Sequence, residues 1–187
     1  DPKTLTFAIA GLAETGKFND FSIVELFLKN SNDQIKKISL HSLVLLDKER
    51  TVPHLLEFLQ SDSLSLRSQA KKGLLKCTRY VQSDELWRIY SANKNTDLRR
   101  AILRIFVGLP MWESLGYFLL ACKTDDQKVS DLALEYVKQW QAKHYSHWRN
   151  IKPTKPQAER IRLAAPVASK YIAGLKFREL HLVIESV

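Results

Sequence analysis

Apolar residues recur along this chain at helical spacing, and the helices they imply recur in turn. Ile35, Leu66, Leu98 and Val129 stand 31, 32 and 31 residues apart. Four residues on from each lie Ser39, Ala70, Ile102 and Ala133; eight on lie Leu43, Leu74, Phe106 and Val137. Positions four apart share one helix face, so each set makes a stripe of small or apolar side chains. A fixed period in this range predicts stacked helical pairs, none of which can bury its own apolar face alone. The expected fold is all-α: a right-handed α-solenoid of stacked antiparallel helical hairpins.

A shorter apolar run precedes each stripe, at residues 21–30, 51–60, 84–93 and 111–124. These are the expected outer helices. Ser22 with Glu25 forms a capping-box pair, Pro53 suits a first helical turn, and Ser83 and Asp84 offer acceptors to free N–H groups. The inner helices are expected to start near Asp33, Ser63, Thr96 and Asp125, each with a short polar side chain suited to capping. One step of the period back from Ile35 reaches Thr4, with Ala8 and Leu12 at the next stripe positions. Residues 1–15 are therefore expected to form the inner helix of a partial repeat, 20–141 four hairpins, and 142–187 a basic loop with capping helices near 157–173 and 177–186. The whole of 1–187 is expected to be one domain. The missing initiator Met and a start inside a helical pattern point to an excised piece.

The segment Asp62-Ser-Leu-Ser-Leu-Arg-Ser-Gln-Ala-Lys-Lys-Gly-Leu74 resembles the inner helix of a HEAT-like, armadillo-type repeat. That pattern has an acidic cap, an apolar residue followed by Arg, then Ala and Leu. Asn95-Thr-Asp-Leu-Arg-Arg-Ala-Ile-Leu103 repeats part of it. The family's Arg falls on Lys36, Arg67 and Arg99, and on Ser130 in the fourth repeat, which breaks the ladder. The resemblance covers about residues 21–141 and implies an α-solenoid acting as a binding scaffold. Trp112-Glu-Ser-Leu115-Gly116 opens like a tetratricopeptide motif, but it occurs once and the period is too short. Val52-Pro53-His54-Leu55 only scrambles the ankyrin tetrapeptide.

Composition narrows the function. The chain has 187 residues, 29 Lys and Arg against 20 Asp and Glu, and a net charge of +9. Such a balance raises encounter rates with acidic proteins, nucleic acids and anionic lipid. Cys77 and Cys122 lie in apolar helical stretches without metal or redox spacing, which points to burial. No run is long enough to span a bilayer, and a cytoplasmic protein without a transmembrane segment is expected.

The stripe-bearing helices carry cations outside their stripes: Lys36 and Lys37 on the first, Arg67, Lys71, Lys72, Lys76 and Arg79 on the second, Arg99, Arg100 and Arg104 on the third. Stacking would gather Lys36, Lys37, Arg67, Lys71, Lys72, Arg99, Arg100 and Arg104 into a basic ridge able to meet an acidic strip or a phosphate backbone. The alternative is a solvated face with one cation per repeat tied to a neighbouring loop. Asp131 and Glu135 point outward on the fourth helix and oppose a long phosphate groove. A second candidate is the basic, aromatic stretch with Tyr145, Trp148, Arg149 and Lys152, which could stack bases or grip a peptide, or could simply plug the last hairpin. His144 and His147 could supply two metal ligands, but no third stands near, and no metal or cofactor is expected.

No Gly-rich phosphate loop, HExxH or GxSxG occurs, and no catalytic residue is assigned. Some HEAT-like solenoids are DNA glycosylases, and Glu85 with Trp87 or Glu113 with Trp112 are loosely comparable acid and aromatic pairs; phycobilin lyases share only the repeat type. Trp87, Tyr90, Phe106, Phe118, Tyr136 and Trp140 fit helical packing better than a cofactor box. The function expected is a non-catalytic scaffold whose basic inner-helix face meets an acidic protein. Binding of duplex DNA or RNA on the same face is the alternative, with the glycosylase as its enzymatic variant.

Overall fold

The structure is a computed structural model that describes residues 1–144, 146, 150–168 and 184–185. The described residues contain α-helices, short 3-10 turns and no strand. The α-helices are α1 (Pro2–Thr15), α2 (Phe21–Leu26), α3 (Asp33–Leu46), α4 (Lys48–Leu59), α5 (Leu64–Lys76), α6 (Ser83–Ala92), α7 (Thr96–Phe106), α8 (Met111–Ala121), α9 (Gln127–His144) and α10 (Lys155–Ala168). All-α is therefore the fold class. The chain divides into two compact units, Asp1–Leu86 and Trp87–Val187, with the division inside α6.

In the first unit α3 packs against α1, α2, α4 and α5, while α4 also packs on α5. The stripe residues explain why: Ile35, Ser39 and Leu43 of α3 and Leu66, Ala70 and Leu74 of α5 are all buried. Removing each large side chain from water contributes about 1.5–3 kcal/mol. Ser39 meets its polar cost locally, its hydroxyl donating to the Ile35 carbonyl at 2.8 Å. Gly73 lets α4 and α5 approach closely, since a Cβ there would lie 2.5 Å from a Leu55 methyl.

The second unit uses the same device. Leu98, Ile102 and Phe106 of α7 and Val129, Ala133 and Val137 of α9 are buried, α7 packs on α9, and α8 packs on α7, α9 and α10. Phe106 stacks on Tyr117 at 4.6 Å, and Trp87 stacks on Tyr90 at the same centroid distance. Phe118 meets Tyr136, and Trp112 meets Trp140. Each indole N–H is satisfied by a carbonyl, Trp112 by Ile151 and Trp140 by Met111. Apart from Trp87 and Tyr136, which are half-buried, these rings are core.

Several boundaries differ from the sequence expectation. The run at 21–30 is helical only to Leu26 and then tightens into a 3-10 turn, Phe27–Lys29. Its Ser22–Glu25 capping box does not form: the helix starts one residue before Ser22, and Glu25 bonds His54 instead. α4 starts at Lys48 because the Asp47 carboxylate caps it through Arg50 N–H, which leaves Pro53 inside the helix rather than in its first turn. The caps of α3 and α7 are Asn32 and Asn95, each one residue before the expected start. Asp126, not Asp125, accepts from the amides of Lys128 and Val129 at the start of α9.

α1 departs further. Thr4 and Ala8 are exposed and Leu12 is half-buried, while Ile9 is buried and its carbonyl accepts from Ser42. Extrapolating the stripe picked the wrong face, because the face of α1 that packs is chosen by α3. At the other end α9 runs to His144, past the expected boundary at 141, and α10 starts at Lys155 rather than 157. The expected helix 177–186 and residues beyond 168 of the expected helix 157–173 lie outside the described residues, apart from Ile184 and Glu185.

Candidate basic interface

α3 and α5 carry the candidate cations of the first unit. Lys36, Lys37, Arg67 and Lys71 are half-buried and Lys72 is exposed. Lys36 reaches Asp33 at 3.6 Å, a surface pair one turn away. Such pairs contribute little. Lys37, Arg67, Lys71 and Lys72 form no side-chain hydrogen bond or ion pair among the described residues. The reason is compositional, since α5 contains no Asp or Glu and α3 contains only Asp33, at its first residue.

The structure adds Lys48 to this group and places Arg79 past the end of α5, in the 3-10 turn Thr78–Tyr80. Lys48, Lys76 and Arg79 are exposed in the same unit. Burial lowers the pKa of His41, and the charge of Lys76 lowers it further. Burial pushes the Cys77 thiol up, against the opposing pull of Lys48 and Lys76. Lys76 therefore sits within electrostatic reach of both His41 and Cys77, and Lys48 within reach of Cys77. The sequence did hold a signal for His41, which stands four residues after Lys37 and so shares its column. Lys48 precedes the expected start of its helix and carried no such mark.

In the second unit the cations divide. Arg99 is tied to its own loops: Nε donates to the carbonyls of Asn93 at 2.5 Å and Tyr90 at 3.2 Å, and Nη1 donates to Thr124 Oγ1 at 3.0 Å. Its guanidinium also lies 5.2 Å from the Tyr90 ring centre. Thr96 donates its hydroxyl to Asp126, and that bond, with the amides of Val129 and Lys128 and the charge of Arg99, lowers the Asp126 pKa. Tyr90 Oη is buried with no hydrogen bond of good geometry, and burial raises its pKa against the pull of Arg99 and Thr124. Arg100 is half-buried with an unpartnered buried Nε, whereas Arg104 is exposed. Asp131 and Glu135 are exposed and accept from Gln127 and Gln139.

The remaining candidates fall as follows. Lys152 is exposed; Tyr145, Trp148 and Arg149 lie outside the described residues, as does His147. Among the described residues no three His, Cys, Asp or Glu side chains gather as for a metal ion. Glu113 is turned onto α10, accepting from Arg160 at 2.9 Å and Gln157 at 3.0 Å. Arg160 also covers the Tyr117 ring at 4.3 Å. Glu85 is half-buried. A cavity of about 440 Å³ lies beside the His54–Glu25 bond, with Lys29 and Glu57 on its wall. Its charges are mixed in sign and select no ligand. No helix of the described residues is long and apolar enough to cross a membrane.

No protein-family model matches the chain, and no curated protein matches it. Among solved structures it is similar to a crystal structure of an engineered protein, at 13% identity over 99% of this chain and 89% of that one, with a TM-score of 0.49.

Proposed function

We propose that this chain is a non-catalytic binding module, a right-handed HEAT-like α-solenoid whose basic inner-helix face meets an acidic protein partner. Support for the solenoid is the repeated stripe, buried at every one of its positions in α3, α5, α7 and α9. Within the first unit α3 contacts both α1 and α5, as neighbouring inner helices of such a stack would. The observation that carries the binding reading is the set Lys37, Arg67, Lys71 and Lys72, four cations on two packed helices with no carboxylate partner among the described residues. Uncompensated like charges repel one another and are relieved by an anionic surface. A cytoplasmic setting fits two cysteines that are buried and unpaired.

The nucleic-acid alternative uses the same cations and is separable by salt. Phosphate neutralisation makes log affinity fall with log salt by roughly one unit per phosphate contacted. Anisotropy titrations of the full chain with a labelled acidic peptide and with duplex and single-stranded oligonucleotides, each at low and physiological salt, test the reading. The expected result is peptide binding that survives physiological salt and oligonucleotide binding that does not. Oligonucleotides bound more tightly than peptide at both salts would overturn it. Excision of an alkylated base, lost in Glu113→Gln or Glu85→Gln, would replace it with the glycosylase.

A further inference from the structure

We infer that the exposed face shared by α3 and α5 seats a short acidic segment of the partner, one whose carboxylates flank an apolar side chain. This rests on the binding-module reading and narrows it to one place and one chemistry. Lys37, His41 and Leu45 follow one another at four-residue steps, each about 6 Å further along α3. Ser68, Lys72 and Lys76 do the same along α5, with Leu75 beside the last. The two helices pack together, and the charge of Lys76 is felt at His41, so half-buried His41 of one column lies within Coulombic reach of exposed Lys76 of the other.

Charge and apolar surface alternate on this face. Leu45 is 51% exposed and Leu75 is 43% exposed, among Lys37, Lys72 and Lys76, which have no carboxylate partner among the described residues. A bare polyanion leaves both leucines wet. A phosphate backbone does the same, and neither α3 nor α5 contains a Phe, Tyr or Trp on which a base could stack. An anionic bilayer would need side chains that protrude, whereas about half of each leucine is already covered by its neighbours. An acidic segment with one leucine or phenylalanine covers the apolar patch and pairs the cations at once, the arrangement of an apolar centre with a charged rim.

The test uses the full chain and a labelled peptide of Glu and Asp interrupted by Leu at helical spacing. Its controls are the same peptide with Ser for Leu, single-stranded and duplex oligonucleotides, and vesicles of phosphatidylcholine with phosphatidylserine. The Leu peptide is expected to bind about tenfold tighter than its Ser control, and Lys72→Glu or Lys76→Glu to weaken it about tenfold. Leu45→Ser should weaken only the Leu peptide and so close the gap. Melting curves confirm that each variant folds, and Lys72→Gln, which removes charge without reversing it, serves as the milder companion. Equal binding of the two peptides overturns the inference, as does tighter binding of oligonucleotide or vesicle. Peptide binding untouched by these variants but abolished by Arg104→Glu overturns this seat and leaves the binding module standing. Failure of every probe at low salt overturns both.

Discussion

Arg99 and Arg104 lie on one helix and differ in everything but charge. Arg99 makes three hydrogen bonds, to Tyr90 in the last turn of α6, to Asn93 just after it and to Thr124, and Arg104 stands in solvent. Charge-assisted bonds of this kind contribute about 1.5–3 kcal/mol each when made. Arg99→Lys is expected to cost about 2 kcal/mol in urea denaturation, because an ammonium cannot reproduce the guanidinium fork. Arg104→Lys should fall within about 0.5 kcal/mol of the parent. The two cysteines give a second residue-scale expectation. Cys122 is pushed up to about 12 by burial, and Cys77 is raised by the same cause. Only thiolates react, so a thiol reagent at mildly alkaline pH should label neither until denaturant is added. His41 supplies a pH dependence. Its folded pKa lies below the ordinary histidine value of 6.5, so the unfolded chain takes up its proton first. Its contribution to stability is complete above that value and declines as pH falls through it toward the lower folded pKa. His41→Gln should flatten that part of a plot of urea midpoint against pH; an unchanged slope would show that other groups cause it.

Among the elements, α5 and α10 show two ways of holding a helix in place. α5 is held by shape, with Leu74 fully buried and Gly73 letting Leu55 of α4 approach. Leu74→Ala is expected to cost about 2–5 kcal/mol through lost burial and the cavity left behind, measured by chemical denaturation. α10 is held in part by charge, the Glu113 carboxylate gripping Arg160 and Gln157 with both ion-pair partners 18% exposed. Removing one partner of a desolvated pair leaves the other uncompensated. Glu113→Gln should therefore loosen α10 before anything else, seen as faster hydrogen exchange at residues 158–164 with protection in α3 and α5 unchanged. Helix starts were legible to within a residue for α3, α5 and α7, since Asp33, Ser63 and Thr96 mark the polar turn at each start, although the bonded caps are Asn32 and Asn95 and Ser63 makes no side-chain cap bond. They were not legible for α4, where a carboxylate at Asp47 competed with the stronger textual signal of Pro53.

At the scale of the whole molecule, an excess of positive charge acts on stability. Self-repulsion at a net charge of +9 is relieved by screening, so the melting temperature should rise as salt goes from about 0.01 to 0.15 M, where the Debye length shortens from about 30 to 8 Å. A melting temperature that falls instead would mean that specific ion pairs outweigh net repulsion. The sequence by itself determined the all-α class and the buried stripes of α3, α5, α7 and α9, because burial of a periodic face is a property of each helix and its spacing survives in the text. It also determined that α5 carries cations without a single acid. It could not determine which cations stay available, since Arg67 and Arg99 occupy equivalent positions and only the second meets loop carbonyls and Thr124. Nor could it determine the buried face of α1, where extrapolation chose Thr4 and Ala8 and packing on α3 chose Ile9. Such choices depend on what stands opposite a side chain, and that neighbour is supplied by residues distant in the chain.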